Sequence, residues 1–308
     1  MRYVPGEGPV DVHSLTSGLV NESCRVGRAG RLYALRVAAG SQDLGLDRDW
    51  ECRVLAVAAA AGLAPNIVYC DPAQGVLVAD WVMGSAWTLT EIQQPDRIDA
   101  MTQLLCQVHA LPIPQPARAI SAAAWIAHYD HALDQILALG DSDVTPRSAG
   151  QRTAERPSAR LRDAAAVGLD RLTAFRAPPS VLCHGDLHRL NVLIGPRMVL
   201  LDWEYAHVSD PFWDLAGWIA NNDLTGSVAT HLLASYLGRP AAPEESARLR
   251  LLMWLYDYVC LQWSGLYLCR RPGSARDGTR DGTRDGTRDG VSGRAIVLAT
   301  RLSNEPAP

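Results

Sequence analysis

The spacing of apolar residues changes once along this chain, near Met83-Gly84, and that change limits the folds open to it. Before it, short strand-length runs alternate with turn residues. Ser23-Cys24-Arg25-Val26 and Leu32-Tyr33-Ala34-Leu35-Arg36-Val37 flank Gly27 to Arg31 as a hairpin, and further strands are expected around Ile67-Val68-Tyr69-Cys70 and Val76-Leu77-Val78-Ala79. One alanine-rich helix interrupts them from Asp49 to Ala61, with Asp47 or Asp49 as N-cap and Gly62 then Pro65 as the stop. After the change the period is helical, over roughly 96–111, 121–138, 158–175, 211–221, 226–237 and 244–269. The sequence therefore reads as α+β: a small antiparallel-sheet lobe with one helix over 1–82, then a larger, mainly helical lobe over 83–308. Asp80-Trp81-Val82-Met83-Gly84 is the expected hinge, and clefts between lobes are favoured ligand sites.

Two stretches read as flexible loops. Residues 140–158 are polar and rich in Ser, Pro and Gly, and about 272–292 includes three Arg-Asp-Gly-Thr repeats between Arg276 and Gly290. Such a repeat cannot bury a common face, and Arg alternating with Asp neutralises the charge a calcium ion needs.

Composition removes several function classes. At 308 residues with 48% hydrophobic content the chain has a real core, and a net charge of -4 gives no basic field for nucleic acid. Seven scattered cysteines without a Cys-x-x-Cys pair argue against a disulfide framework or a zinc site. No apolar run suits a signal peptide or reaches the roughly 18 residues of a membrane span, so a cytoplasmic protein without a membrane partner is expected. All 29 basic residues in the Lys+Arg count are arginine. Any phosphate contact normally made by lysine falls here to arginine or to backbone amides.

Chemistry concentrates in His184-Gly185-Asp186-Leu187-His188-Arg189-Leu190-Asn191-Val192-Leu193-Ile194. It places a carboxylate and a carboxamide five residues apart, and an apolar run delivers a second acid in Leu200-Leu201-Asp202-Trp203-Glu204. These three groups suit phosphoryl transfer from a nucleotide. One carboxylate can orient and deprotonate a hydroxyl, while Asn191 and Asp202 can hold the magnesium that bridges phosphates.

HGDLHRLNVLI, followed by LLDWEYA and DPFWDLA, resembles the aminoglycoside phosphotransferase and choline kinase superfamily, of protein-kinase-like two-lobed fold. The resemblance is highly specific between 182 and 217 and covers roughly 15 to 270 by element order. It implies Asp186 as catalytic base, Asn191 and Asp202 as magnesium ligands on ATP, and His184 and Asp214 as supports of the loop. It also implies a nucleotide-anchoring cation at Arg36 paired with Glu51. Gly18, Asn21 and Ser23 would cover the phosphates, and the backbone of Asp80 and Val82 would meet adenine.

For the acceptor, a small molecule carrying an alcohol, the helical part offers Trp254, Tyr256, Asp257, Tyr258, Trp263 and Tyr267. Rings with an acid suit a cationic head group, and Trp254, Asp257 and Trp263 are the substrate-binding candidates, with core filling as the ordinary alternative for such a stripe. Glu204, beside the metal site, is a further substrate candidate or a ligand for a second magnesium, or else the partner of a neighbouring arginine. Arg36 and the Asp202-Trp203-Glu204-Tyr205 form resemble the choline, ethanolamine and thiamine kinases. Aminoglycoside phosphorylation is the alternative within the superfamily, and a silent pseudokinase scaffold is the alternative outside catalysis.

Overall fold

The computed structural model describes residues 3–15, 21–38, 44–139, 156–224, 226–270 and 288–304. Gly18 and most of both expected loops lie outside these residues; the last part of the second, from Arg288, is helical. The chain divides into two compact units, one of Met1–Gln42, Leu46–Ala119 and Pro178–Ala242, the other of Asp43–Gly45, Ile120–Ala177 and Pro243–Pro308. The expected lobe boundary after residue 82 falls inside the first of these units.

The first unit opens with a five-stranded antiparallel sheet in the order β1-β2-β3-β5-β4, built from β1 (Val10–Leu15), β2 (Asn21–Arg28), β3 (Arg31–Ala38), β4 (Ile67–Asp71) and β5 (Val76–Asp80). The period of two sorts its faces. On one, Val26, Tyr33, Val76 and Val78 pack with Val4 into a buried cluster, each apolar side chain contributing about 1.5–3 kcal/mol. On the other, the register sets Ser23 opposite Arg36 and Arg36 opposite Leu77. Strand β1 carries a weak pattern, mostly exposed, and was not foreseen from sequence.

Helix α1 (Arg48–Ala60) begins where the Asp47 side chain accepts a hydrogen bond from the Trp50 amide, 2.9 Å away, so of the two expected N-caps Asp47 is the observed one. Trp50 is wholly buried and donates Nε1–H to the Ala206 carbonyl at 2.7 Å, tying α1 to the motif segment. Cys52 of α1 and Cys70 of β4 are joined by a disulfide, with Cα atoms 6.1 Å apart. The cysteine spacing, which argued against a disulfide framework, gave no sign of this pair: residues 18 apart in sequence become neighbours because α1 packs along β4.

The rest of the first unit holds α2 (Pro95–His109), four three-residue strands, β6 (Val181–Cys183), β7 (Val192–Ile194), β8 (Met198–Leu200) and β9 (His207–Ser209), then α5 (Phe212–Asn221) and α6 (Ser227–Leu237). Strands β6 and β9 pair, as do β7 and β8. The second unit contains α3 (Ala122–Leu139), α4 (Ala159–Thr173), α7 (Pro243–Arg270) and α8 (Arg288–Asn304), with α7 packed against the other three. Helix α8 is an element the repeat obscured in sequence. Among the described residues no helix is long and apolar enough to cross a membrane.

Burial of polar groups gives the first unit a pH dependence. His207 is fully buried, donates from Nδ1 to the Tyr205 carbonyl at 2.8 Å, and burial lowers its pKa from 6.5 to about 4. The fold thus holds it neutral while an unfolded chain protonates it. Its contribution is complete above the unfolded value of 6.5 and is lost as pH falls towards about 4, a difference of about 3 kcal/mol. Urea melts of His207→Asn are expected to show a shallower loss of stability between pH 7 and about pH 4.5 than the parent. Parallel curves would mean that other groups govern the acid limb.

Candidate active site

The motif loop lies between β6 and β7 and is held from beneath by α5. Asp214, 1% exposed, accepts from the backbone N–H groups of His184 at 2.8 Å and Gly185 at 2.9 Å, and from His109 Nε2 of α2 at 3.1 Å. Burial works against its charge, but the His109 hydrogen bond and the loop amides outweigh it and keep the carboxyl below its ordinary range. Asn221 donates to the Leu187 carbonyl and Asn222 accepts from the Arg189 amide, so two further side chains of α5 and its end fix the loop.

Gly185 stands at φ +83°, and a Cβ there would strike the Tyr205 carbonyl. His184 is buried against Trp203, ring centroids 4.8 Å apart. Its Nε2 meets the Leu201 carbonyl at 2.8 Å while Nδ1 accepts the Asp186 amide at 3.4 Å, which fixes the proton on Nε2. Burial lowers its pKa, so the neutral ring joins the backbone of Asp186 to that of the residue before Asp202. The expected structural roles of His184 and Asp214 are supported by these bonds.

Asp186 keeps a half-buried side chain, 32% exposed, with His188 Nε2 4.0 Å from Oδ2. Asn191 is buried and donates Nδ2–H to the Asp186 carbonyl at 3.0 Å; its own carbonyl accepts from Leu201 N at 2.8 Å. The β7–β8 register, Val192 opposite Leu200, therefore carries Asn191 up to the chain that delivers Asp202. Asp202 itself adopts the left-handed conformation, φ 63° and ψ 64°. Desolvation and then the Glu204 carboxylate push its carboxyl up, against the pull of Arg36; 40% of its side chain still meets solvent. A carboxylate crowded by Glu204, Asp186 and Glu51, beside an asparagine oxygen, supplies the hard donors a divalent cation takes.

Sheet and motif meet through charge. Arg36 donates to Glu51 Oε1 at 2.5 Å and to Asp202 Oδ1 at 3.2 Å, and lies 3.7 Å from Glu204. Burial opposes its charge, but Glu51, Glu204 and Asp202 together raise its pKa above the ordinary value. The expected cation–acid pair is thus formed, with the Glu51 side chain only 3% exposed. A residue the sequence reading missed completes it. Arg48 donates to Glu51 Oε2 at 2.8 Å, to Glu204 Oε2 at 2.8 Å and to Asn21 Oδ1 at 2.8 Å. The signal for it was an arginine three residues before a glutamate in a first helical turn.

Other expected site residues stand differently. Glu204, 5% exposed, is held by Arg48 and by Asn21 Nδ2 at 2.7 Å, so in this structure it is paired with an arginine. Asn21 belongs to the same network, through Glu204 and Arg48. Ser23 lies across from Arg36 on the same sheet face. Asp80 accepts from Arg31 at 3.0 Å, and the Trp81 amide donates to the Leu32 carbonyl, so β5 ends there and Val82 leads away from the sheet. Ser85 and Ile194 exchange backbone hydrogen bonds at 3.1 and 2.8 Å, seating the segment after Val82 on the β7–β8 hairpin.

Trp254, Asp257 and Trp263 belong to the second unit. Trp254 stacks on Tyr258 at 5.8 Å and Trp263 on Tyr267 at 5.3 Å, near-parallel along α7, while Asp257 binds Arg301 of α8 at 2.5 Å. A cage for a cation needs rings turned around an open space and an uncompensated acid. Here the rings stack on one another, Trp254, Tyr258 and Tyr267 are buried, and the acid is paired, which corrects the cage in favour of core filling.

A five-stranded antiparallel sheet with a cation–acid pair, an Asp-x-x-x-x-Asn loop and a following metal-type acid defines a protein-kinase-like phosphotransferase. The chain belongs to the phosphotransferase enzyme family, whose pattern matches residues 11–252. Its fold is similar to that of a choline/ethanolamine kinase family protein from Mesorhizobium loti, at 23% identity and TM-score 0.66 over 96% of this chain and 88% of that one. It is similar to the choline kinase LicA from Streptococcus pneumoniae, at 18% identity and TM-score 0.71 over 96% and 94%. It is also similar to a spectinomycin phosphotransferase solved with ADP and spectinomycin, at 12% identity and TM-score 0.62 over 96% and 93%. No curated protein matches the chain.

Proposed function

We propose that this phosphotransferase uses magnesium-ATP to phosphorylate the hydroxyl of a small, cationic metabolite of the choline, ethanolamine or thiamine type. The observation that carries the reading is the convergence of Asp186, Asn191, Asp202 and the Arg36–Glu51 pair within one compact unit. Asn191 and Asp202 fit a magnesium ion by donor type, and Arg36 fits a phosphate by charge and by its donor fork. A magnesium ion held there would supply neutralisation of charge on the transferred group.

The protein's own residues do the rest by placement. Asp186 accepts the hydroxyl proton as the new oxygen–phosphorus bond forms and the bond to the leaving diphosphate breaks. Its orientation comes from His184 and from the Asn191 bond to its carbonyl, and Glu51 keeps Arg36 from collapsing onto solvent. Effective positioning of this kind supplies most of what a loose phosphoryl transition state needs from a protein. Arginine at position 36 and glutamate at 204 support the choline-kinase-like branch over the antibiotic-modifying one.

The test is a coupled assay of magnesium-ATP turnover across choline, ethanolamine, thiamine, spectinomycin, other aminoglycosides and sugar alcohols. Turnover confined to the first three supports the reading, and turnover confined to aminoglycosides replaces it with antibiotic phosphorylation. Nucleotide binding with silence on every acceptor points to a scaffold.

A further inference from the structure

We propose that Arg48 is a positioning residue for the nucleotide, acting through Glu51 to hold Arg36 in place when Arg36 leaves Asp202. The inference rests on the reading of this site as a nucleotide-dependent phosphotransferase. Three observations carry it. Glu51 is gripped on both oxygens, Oε1 by Arg36 at 2.5 Å and Oε2 by Arg48 at 2.8 Å, so its position does not depend on Arg36 alone. Arg48 spans three elements, bonding Asn21 on β2, Glu51 on α1 and Glu204 after β8, with only 17% of its side chain exposed. Arg36, in contrast, divides its donors between Glu51 and Asp202, and the second of these is a proposed metal ligand.

When a metal takes Asp202, that arm of Arg36 becomes available for phosphate. Two acids, Glu51 and Glu204, would then compete for Arg36, which stands 3.7 Å from Glu204. Arg48 removes the competition by satisfying Glu204 and fixing Glu51. Two arginines against two glutamates leave Asp202 as the acid of the group not bonded to Arg48. Arginine suits this post because its fork reaches several acceptors at once, which an ammonium does with less geometric control.

The experiment compares the full-length chain with Arg48→Met, Arg48→Lys and the double variant Arg48→Met, Glu204→Gln, which removes both charges together. Magnesium-ADP affinity is measured by calorimetry, with nucleotide KM, acceptor KM, kcat and thermal melting on the same samples. Arg48→Met is expected to weaken magnesium-ADP binding and raise nucleotide KM by about tenfold or more, with acceptor KM within about twofold and partial recovery in Arg48→Lys. If Arg48→Met does not fold, the double variant decides by the same readings. A folded variant that binds magnesium-ADP within about twofold of the parent, or whose loss falls on acceptor KM, overturns the inference. A parent protein that binds no magnesium-ADP overturns the nucleotide reading itself, and this inference with it.

Discussion

Asp186→Asn is expected to lower turnover by about 10²–10⁴-fold while leaving magnesium-nucleotide affinity near that of the parent. The substitution keeps the shape of the side chain and removes its negative charge, and with it the capacity to take a proton. The half-buried carboxylate stands outside the Arg36, Arg48, Glu51 and Glu204 network, so the charges that would meet a nucleotide stay paired. The backbone of the loop is likewise untouched, because its bonds run from His184, Asn191 and Asp214 to main-chain atoms. Single-turnover kinetics at saturating nucleotide would isolate the chemical step. A variant that turns over within about tenfold of the parent would remove Asp186 from the role of base.

The second large effect is on stability. Asp214→Ala is expected to cost about 3–5 kcal/mol, because it deletes a buried, hydrogen-bonded carboxylate and leaves its partners without their acceptor. The amides of His184 and Gly185 and the His109 ring would lose their acceptor together. Denaturant unfolding of the two proteins at neutral pH measures the difference. A cost below about 1 kcal/mol would show that water or a neighbour replaces the carboxylate, and that the loop is not anchored through it.

These two acids also show what a sequence makes readable. Asp186, Asn191 and Asp202 were legible because a short loop and a tight hairpin fix their separation: backbone geometry couples spacing to position. Arg36 and Glu51 were legible through an element order that resembles a known family. Arg48 was not, since its three partners lie on β2, α1 and the turn after β8, and no local spacing encodes a contact among elements far apart in sequence. The bonds of Glu204 and Asn21 to Arg48 were invisible for the same reason. His109 became a ligand of Asp214 only once α2 packed beside β6. The aromatic residues of α7 illustrate the opposite limit, where periodicity describes a buried stripe and a binding face equally well. Strand β1 escaped because a mostly exposed strand carries little apolar signal, and helix α8 because it begins inside the repeat, although Val291, Ala295, Leu298 and Leu302 recur at helical spacing.

The backbone at Asp202 sets stability against activity. A residue with a Cβ held at φ 63° costs on the order of 1 kcal/mol relative to glycine. A library of this protein sorted only for heat resistance should therefore drift to glycine at this position, and one sorted for turnover should hold aspartate against that drift; sequencing the survivors of each would display the divergence. Evolution towards a hotter host would have to find its gains elsewhere in the chain, since the relief nearest to hand would erase the proposed metal ligand.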